Sequence, residues 1–259
     1  MSTAGDVAQR FRLDGRVALV TGASKGIGES IARALAEAGA RVVVSSRKQE
    51  AVDEVAHAIA TAGGDAIAVA ANVGRLDEAR ALVDRAAAHY GGVDVVVNNA
   101  ATNPVYGPVV DTDEGVFDKI MAVNVKGPLE VCRRAYPLMK SRGGGSVVNI
   151  SSIGGVSPEP GLGLYSVSKS AVVMLTKVLA QEWGPDGIRA NVICPGLIKT
   201  KFSQTLWGDD RLLQHTLAQQ PLKRIGVPED VAGLALFLAS DAAAYCTGGI
   251  YMVDGGYLT

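Results

Sequence analysis

Short runs of β-branched residues alternate with alanine-rich helical segments along almost the whole chain, and this alternation leaves few folds open. RVALVT (16–21), RVVVSS (41–46), AIAVAAN (66–72), VDVVVNNA (93–100), SVVNISS (146–152), IRANVIC (188–194) and GIYMVDG (249–255) read as strands. Helices are expected at about 27–38, over QEAVDEVAHAIATAG and RLDEARALVDRAAAHYG, at 114–141, from 164 to 183 and at 228–239. Gly39 stops the first and Gly63-Gly64 the second. Strands apolar at nearly every position belong inside a parallel sheet covered on both faces, and right-handed crossovers make such a sheet doubly wound. The expected fold class is α/β: a single-domain, doubly wound Rossmann fold over residues 1–259, with a seven-stranded, mostly parallel sheet and helices on both faces. A polar segment at about 199–226 is expected over the substrate side, as a lid.

Apolar residues make up 48% of the 259 and charged ones 20%, which suits a large core and excludes general disorder. The net charge is -1 with no basic block, so no nucleic-acid partner is expected. No apolar run approaches the ~18 residues of a membrane span, and MSTAGDVAQRFRLDG lacks the apolar core of a secretion signal, so a cytoplasmic location is expected. Cys132, Cys194 and Cys246 stand far apart, as do His57, His89 and His215, and no metal site is expected.

Ligands of doubly wound sheets bind beyond the carboxyl ends of the strands. There TGASKGIG joins the first strand to its helix, with Gly22, Gly26 and Gly28 allowing close approach of a pyrophosphate. Ser24, Lys25 and Ile27 belong to the same loop. The spacing is GxxxGxG, a variant of the GxGxxG pattern, and a structural turn would use the same glycines. Ser46-Arg47-Lys48 close the second strand without an acid to accept a ribose 2′-hydroxyl. With Lys25 they suit a 2′-phosphate, so NADP(H) is favoured over NAD(H); alternatively Arg47 and Lys48 merely open a solvated helix. In LYSVSKSAVVMLTK (164–177), Tyr165 and Lys169 are i, i+4 neighbours. The ammonium could hold the phenol near ionisation, or the pair could be a solvated edge.

Taken in chain order, TGASKGIG, Asn98-Asn99-Ala100-Ala101, Asn124 in MAVNVKG, Ser152 in NISS, the pair Tyr165 and Lys169, and Pro195-Gly196 resemble the motifs of the short-chain dehydrogenase/reductase family. SSRKQE, GGGSV, CPGLIKT and FSQTLW further resemble its NADP-dependent carbonyl and retinal reductases. The resemblance implies Tyr165 as general acid in reduction and general base in oxidation, its pKa lowered by Lys169, which also grips the nicotinamide ribose. It implies Ser152 as hydrogen-bond donor to the substrate oxygen and Asn124 as the holder of a water linking Lys169 to solvent. Cofactor contacts are implied for Asn72, Val73, Asn99, Ala100, Ala101, Tyr165, Lys169, Pro195, Gly196, Ile198 and Thr200. Asn72 stands where the family often has an aspartate and Ala101 where glycine is usual; neither removes a reacting group.

The expected function is NADP(H)-dependent interconversion of a ketone or aldehyde and its alcohol. Pro104, Val105, Tyr106, Ile153, Gly154, Pro160 and Leu162, with Phe202, Leu206 and Trp207 from the lid, are mostly apolar, so an apolar carbonyl substrate is expected. One alternative is a 3-oxoacyl-(acyl carrier protein) reductase docking its carrier on Arg142, although Asp186 stands where a cation is wanted. Others are a sugar or polyol dehydrogenase and, in a different class, a non-catalytic NADP(H)-binding redox sensor, which would be expected to lack Tyr165, Lys169 or Ser152. The resemblance also implies a homotetramer built on the two long helices and the last strand; exposed apolar faces on Val131, Ala135, Val172, Val173 and Leu175 would agree, although core packing alone requires some of these residues.

Overall fold

The computed structural model describes residues 7–259; the first part of the opening segment, residues 1–6, lies outside them. Strands β1 (Val17–Thr21), β2 (Arg41–Ser46), β3 (Asp65–Ala70), β4 (Val95–Asn98), β5 (Gly145–Ile150), β6 (Ile188–Pro195) and β7 (Ile250–Val253) form one sheet in the order β3-β2-β1-β4-β5-β6-β7. Every neighbouring pair is parallel, so the sheet expected to be mostly parallel is parallel throughout. The reason is that every strand returns through a crossover, never a hairpin.

The helices are α1 (Gly26–Glu37), α2 (Gln49–Thr61), α3 (Leu76–Tyr90), α4 (Glu114–Met121), α5 (Gly127–Ser141), α6 (Gly163–Trp183), α7 (Gln204–Trp207), α8 (Asp210–Gln219) and α9 (Pro228–Ala239). Strand β1 shows why two covering layers form. Ala18 and Val20 enter the core shared with α1, α2 and α9, whereas Val17 and Leu19 enter the core shared with α3, α5 and α6. No helix among the described residues is long and apolar enough to cross a membrane.

Three expectations need correction. The helix expected over 114–141 is divided into α4 and α5 by one π-helical turn, Ala122–Lys126. Such a turn carries an extra residue and rotates the helix downstream of it, a distortion without a signature in apolar periodicity. Second, Val131, Ala135, Val172 and Val173 are not exposed faces; they are 0–8% exposed and pack in the cores, with Leu175 half-buried. Residues at helical spacing face the sheet first. The outward face of α6 instead carries Val167, Met174 and Val178. Third, Arg142 is no free docking cation. At the amino ends of the strands, Asp94 accepts hydrogen bonds from the Val17 N–H (2.7 Å) and from Arg142 Nε and Nη2 (2.7 and 3.0 Å). Asp186 is likewise engaged by the Tyr136 hydroxyl (2.5 Å) and Lys140 (2.9 Å).

Candidate active site

Strand order reverses beside β1, which pairs with β2 on one side and β4 on the other, and the glycine loop leaves the carboxyl end of β1 at that point. Gly22 and Gly26 have φ of +64° and +62°, conformations that side chains resist. Gly28 is needed for another reason: a Cβ there would overlap the Asn99 amide and the Gly22 carbonyl. The Asn99 side chain donates to the Thr21 and Gly22 carbonyls (3.1 and 3.0 Å), and the Asn99 and Ala100 N–H groups donate to Thr21 Oγ1 (3.1 and 3.2 Å). The Asn99 side chain thus braces the loop. Gly28→Ala is expected to cost about 1–3 kcal/mol, measured by denaturant unfolding, because the brace and the loop cannot both keep their places.

No side chain caps the N-terminus of α1, where Lys25 occupies the capping position, so its first N–H groups face the loop without a side-chain acceptor. Lys25, Arg47 and Lys48 are exposed, and their side chains have no hydrogen-bond or ion-pair partner among the described residues; Ser46 is half-buried beside them. On the next strand end, Asn72 Oδ1 accepts the Gly74 N–H (3.1 Å), while Val73 is buried against Gly127. Across the loop, the Thr200 methyl lies close to Gly26. Pro195 ends β6, the Gly196 N–H donates to Val253 O (2.9 Å), and Ile198 is buried. Ser24, Ile27, Ala100 and Ala101 are half-buried around this cleft.

Further along the same edge, Ser152, Tyr165 and Lys169 come together. Ser152 starts the 3₁₀ turn after β5 and its Oγ accepts the Gly154 N–H (3.1 Å). Tyr165 lies in the first turn of α6, set within protein but open to the cleft on one side. Lys169 is 3% exposed; its Nζ donates to Ile150 O (2.8 Å) and lies 5.6 Å from the centre of the Tyr165 ring. Burial pushes the Tyr165 phenol well above its ordinary range, a hydrogen bond from Ser152 pulls the other way, and the charge of Glu159 adds to the rise. Burial also lowers the Lys169 ammonium to about 8. Burial of both groups thus works against the charge pairing expected between Lys169 and the Tyr165 phenol. A cation that is itself poorly solvated does not outweigh the cost of burying a phenolate.

The Lys169 shift predicts a pH dependence. Lys169 loses its proton near pH 8 in the folded chain but near 10.5 in the unfolded chain, so unfolding takes up a proton between those values and stability rises with pH. Relative to Lys169→Met, the wild type is expected to gain about 3 kcal/mol from pH 7 to pH 10, read from denaturant midpoints, with Tyr165 common to both chains. A constant difference would show that the ammonium is not buried.

Asn124, delivered by the π-helical turn, is 1% exposed. Its Oδ1 accepts the Thr102 N–H (2.8 Å) and its Nδ2 donates to Thr102 O and Ser168 Oγ (both 3.0 Å). The side chain therefore clamps the loop after β4 to α6. Residues that sequence reasoning missed sit beneath it. Asn98 Nδ2 donates to Asn149 Oδ1 (2.9 Å), whose own amide donates to Thr176 Oγ1 (2.8 Å). Ser151 Oγ donates to Lys169 O (2.8 Å). Buried amides at positions where strands are otherwise apolar were the available signal.

On the substrate side, Val105 and Leu162 line a small pocket against Tyr165 with Asn103, Thr112, Val116 and Ile120. Ile153 and Gly154 are buried below it, whereas Pro104, Tyr106 and Pro160 stand exposed at the rim. The polar segment folds into α7 and α8, neither with a fully buried residue. The Phe202 ring lies 6.2 Å from that of Tyr165. Leu206 is half-buried, and Trp207 donates its indole N–H to Thr200 O (2.8 Å).

A dinucleotide-type loop at the switch point and a Ser-Tyr-Lys cluster on the same sheet edge define an oxidoreductase of the Rossmann type, and the chain belongs to the short-chain dehydrogenase/reductase family. The family model described as "Enoyl-(Acyl carrier protein) reductase" matches residues 22–258. The chain is similar to dehydrogenase/reductase SDR family member 4 of Sus scrofa, at 47% identity over 96% of this chain and 90% of that protein. It is 45% identical to the Homo sapiens protein of the same name, over 99% of this chain and 92% of that one. Among solved structures, a gluconate 5-dehydrogenase from Burkholderia cenocepacia J2315 in complex with NADP and tartrate superposes with a TM-score of 0.94, at 34% identity over 98% of this chain and 99% of that chain.

Proposed function

We propose that this chain is an NADP(H)-dependent oxidoreductase that interconverts an apolar ketone or aldehyde and the corresponding alcohol, with Tyr165 as general acid and base. The observation that carries this reading is the Ser152, Tyr165 and Lys169 cluster, open to a cleft on the sheet edge that also bears the uncapped N-terminus of α1. The residues present fit the cofactor. The positive-φ glycines and uncapped N–H groups suit a pyrophosphate, and three unpartnered cations, with no acid at the end of β2, suit a 2′-phosphate. Gly22 to Gly28 would hold the pyrophosphate, and Ser46, Arg47, Lys48 and Lys25 the 2′-phosphate. Asn72, Val73, Ala100 and Ala101 would flank the adenosine side and Pro195, Gly196, Ile198 and Thr200 the nicotinamide side. NADPH, when bound, supplies the hydride for the carbonyl carbon. Ser152 donates a hydrogen bond to the carbonyl oxygen, and Tyr165, whose raised pKa keeps it protonated, gives that oxygen its proton. Lys169 feeds the phenol electrostatically from below, and Asn124 keeps the loop after β4 in register with α6.

The Arg142–Asp94 pair and the engaged Asp186 weigh against a carrier-protein reductase, and retention of all three cluster residues weighs against a sensor without turnover. A cytoplasmic location agrees with free, buried Cys132 and Cys194. The exposed stripe Val167, Met174 and Val178 on α6 supports a homotetramer, expected as a four-chain mass in light scattering; a monomer at micromolar concentration would overturn it. The functional test is NADPH oxidation, followed by absorbance, with a panel of ketones. Arg47→Ala combined with Lys48→Ala is expected to weaken NADPH binding by roughly 100-fold and NADH binding by less than threefold, read by titration of reduced-cofactor fluorescence. An unchanged preference would remove the assignment of NADP(H).

A further inference from the structure

Gln220 follows directly on α8, where the segment that carries α7 and α8 returns to the body of the chain. Neither α7 nor α8 buries a residue fully, yet Gln220 is 3% exposed. Its Nε2 donates to Asp254 O (2.8 Å), while its buried Oε1 accepts no hydrogen bond among the described residues. A buried amide whose acceptor is unmet is costly, and an apolar side chain of the same length would fill the place without that cost. Stability alone therefore does not account for a glutamine here. The other end of its bond shows what it reaches. Asp254 follows β7, and its carboxylate accepts the Gly256 N–H (2.9 Å) and the Leu258 N–H (3.0 Å), which folds the chain end into a turn. On one side Gly255 and Gly256 lie against Gln220 and Pro221, and the Leu222 N–H donates to Gly255 O (3.0 Å). On the other side lies Gly196: its N–H donates to Val253 O (2.9 Å), and a Cβ there would come within 2.9 Å of Asp254 Cα. Asp254 is thus wedged between the exit of α8 and the Pro195-Gly196 turn, with the Gln220 amide holding it from the α8 side. The entry of the same segment places Phe202 6.2 Å from the Tyr165 ring.

We infer that Gln220 is a positioning residue for hydride transfer: through the Asp254 turn it fixes the Pro195-Gly196 wall against the nicotinamide end of the cofactor, without touching cofactor or substrate itself. The inference rests on the oxidoreductase proposal, which gives Pro195 and Gly196 to the nicotinamide side. In the step concerned the carbonyl carbon takes the hydride, the C=O π pair moves to the oxygen, and that oxygen takes the Tyr165 proton, with NADPH oxidised to NADP+. The groups proposed for the pyrophosphate and the 2′-phosphate stand on α1 and at the end of β2, away from the Asp254 turn, so their hold on the cofactor does not depend on Gln220.

The test compares the wild type with Gln220→Met, which keeps the length and burial of the side chain and removes its amide. Asp254 O retains the Tyr257 N–H (3.3 Å), so Tm is expected within about 4 °C of wild type. In stopped-flow mixing with saturating NADPH and the fastest ketone of the panel, the first turnover is expected to slow by roughly 10- to 100-fold, the order that an ångström of misplacement costs. The fluorescence of NADPH bound without ketone is expected to fall toward that of the free cofactor, because the nicotinamide loses a fixed wall. Affinity for 2′,5′-ADP, which carries phosphates but no nicotinamide, is expected to stay within about threefold by calorimetry. A first turnover within about threefold of wild type would overturn the assignment whatever the fluorescence. Slowing without a change in fluorescence would place the effect on the substrate side and overturn it too. So would a loss of 2′,5′-ADP affinity beyond about tenfold or a Tm lower by more than about 10 °C, either of which makes Gln220 a structural support of the whole cleft. If the wild type itself reduces no ketone of the panel, the oxidoreductase reading falls and takes this inference with it.

Discussion

Tyr165→Phe is expected to lower kcat for ketone reduction by roughly 10³-fold, the middle of the range for loss of a positioned general acid, while NADPH binds within threefold of wild type. The substitution removes one oxygen from a ring that keeps its place on α6, 6.2 Å from the Phe202 ring and above Lys169. The proton is lost from the position where it is needed, and the cleft that takes the dinucleotide is untouched. Because burial raises the phenol's pKa and so favours its acid form, and Lys169 changes charge only around pH 8, reduction in the wild type should stay nearly level from pH 6 to 7. Stopped-flow traces of NADPH oxidation and a fluorescence titration of the same variant check both halves. Residual turnover above one-tenth of wild type would mean that another group, or water, delivers the proton.

Asp94→Ala is expected to produce the largest loss of stability, about 3 kcal/mol, which for a chain of this size lowers Tm by roughly 10 °C. Asp94 is 2% exposed and receives three hydrogen bonds, one from the Val17 N–H at the start of β1 and two from Arg142 after α5. Its removal leaves a buried strand donor unpaired and a guanidinium without its carboxylate. The figure sits at the low end for a broken buried pair because the Arg142 side chain is 33% exposed and can recover some hydration. Since the pair lies at the opposite edge of the sheet from Tyr165, KM values should not move. A Tm within two degrees of wild type would show that the pair is replaceable by water.

Strand positions and the parallel order were legible in the sequence because period-2 alternation between two apolar layers leaves continuous apolar runs such as that of β1. The residues of the site were legible because they occupy the turns where such a sheet presents ligands. What could not be read was which way an individual polar side chain is turned. Asn99 belongs to a loop motif, yet its amide is taken by Thr21 and Gly22; Asn124 clamps Thr102 from a π-helical turn that no periodicity announces. The apolar residues of α5 and α6 stood open between an exposed face and the core, because periodicity marks a stripe without saying whether the sheet or another chain lies under it. The ionisation of Tyr165 was not legible for a related reason: adjacency to Lys169 follows from spacing, whereas desolvation depends on everything packed around both.

The bond from the Trp207 indole to the Thr200 carbonyl, with the Thr200 methyl against Gly26, couples two halves of the cleft through a single residue. Any displacement of α7 from the cleft would break this bond and loosen the Thr200 contact with the glycine loop, so neither element can shift without the other.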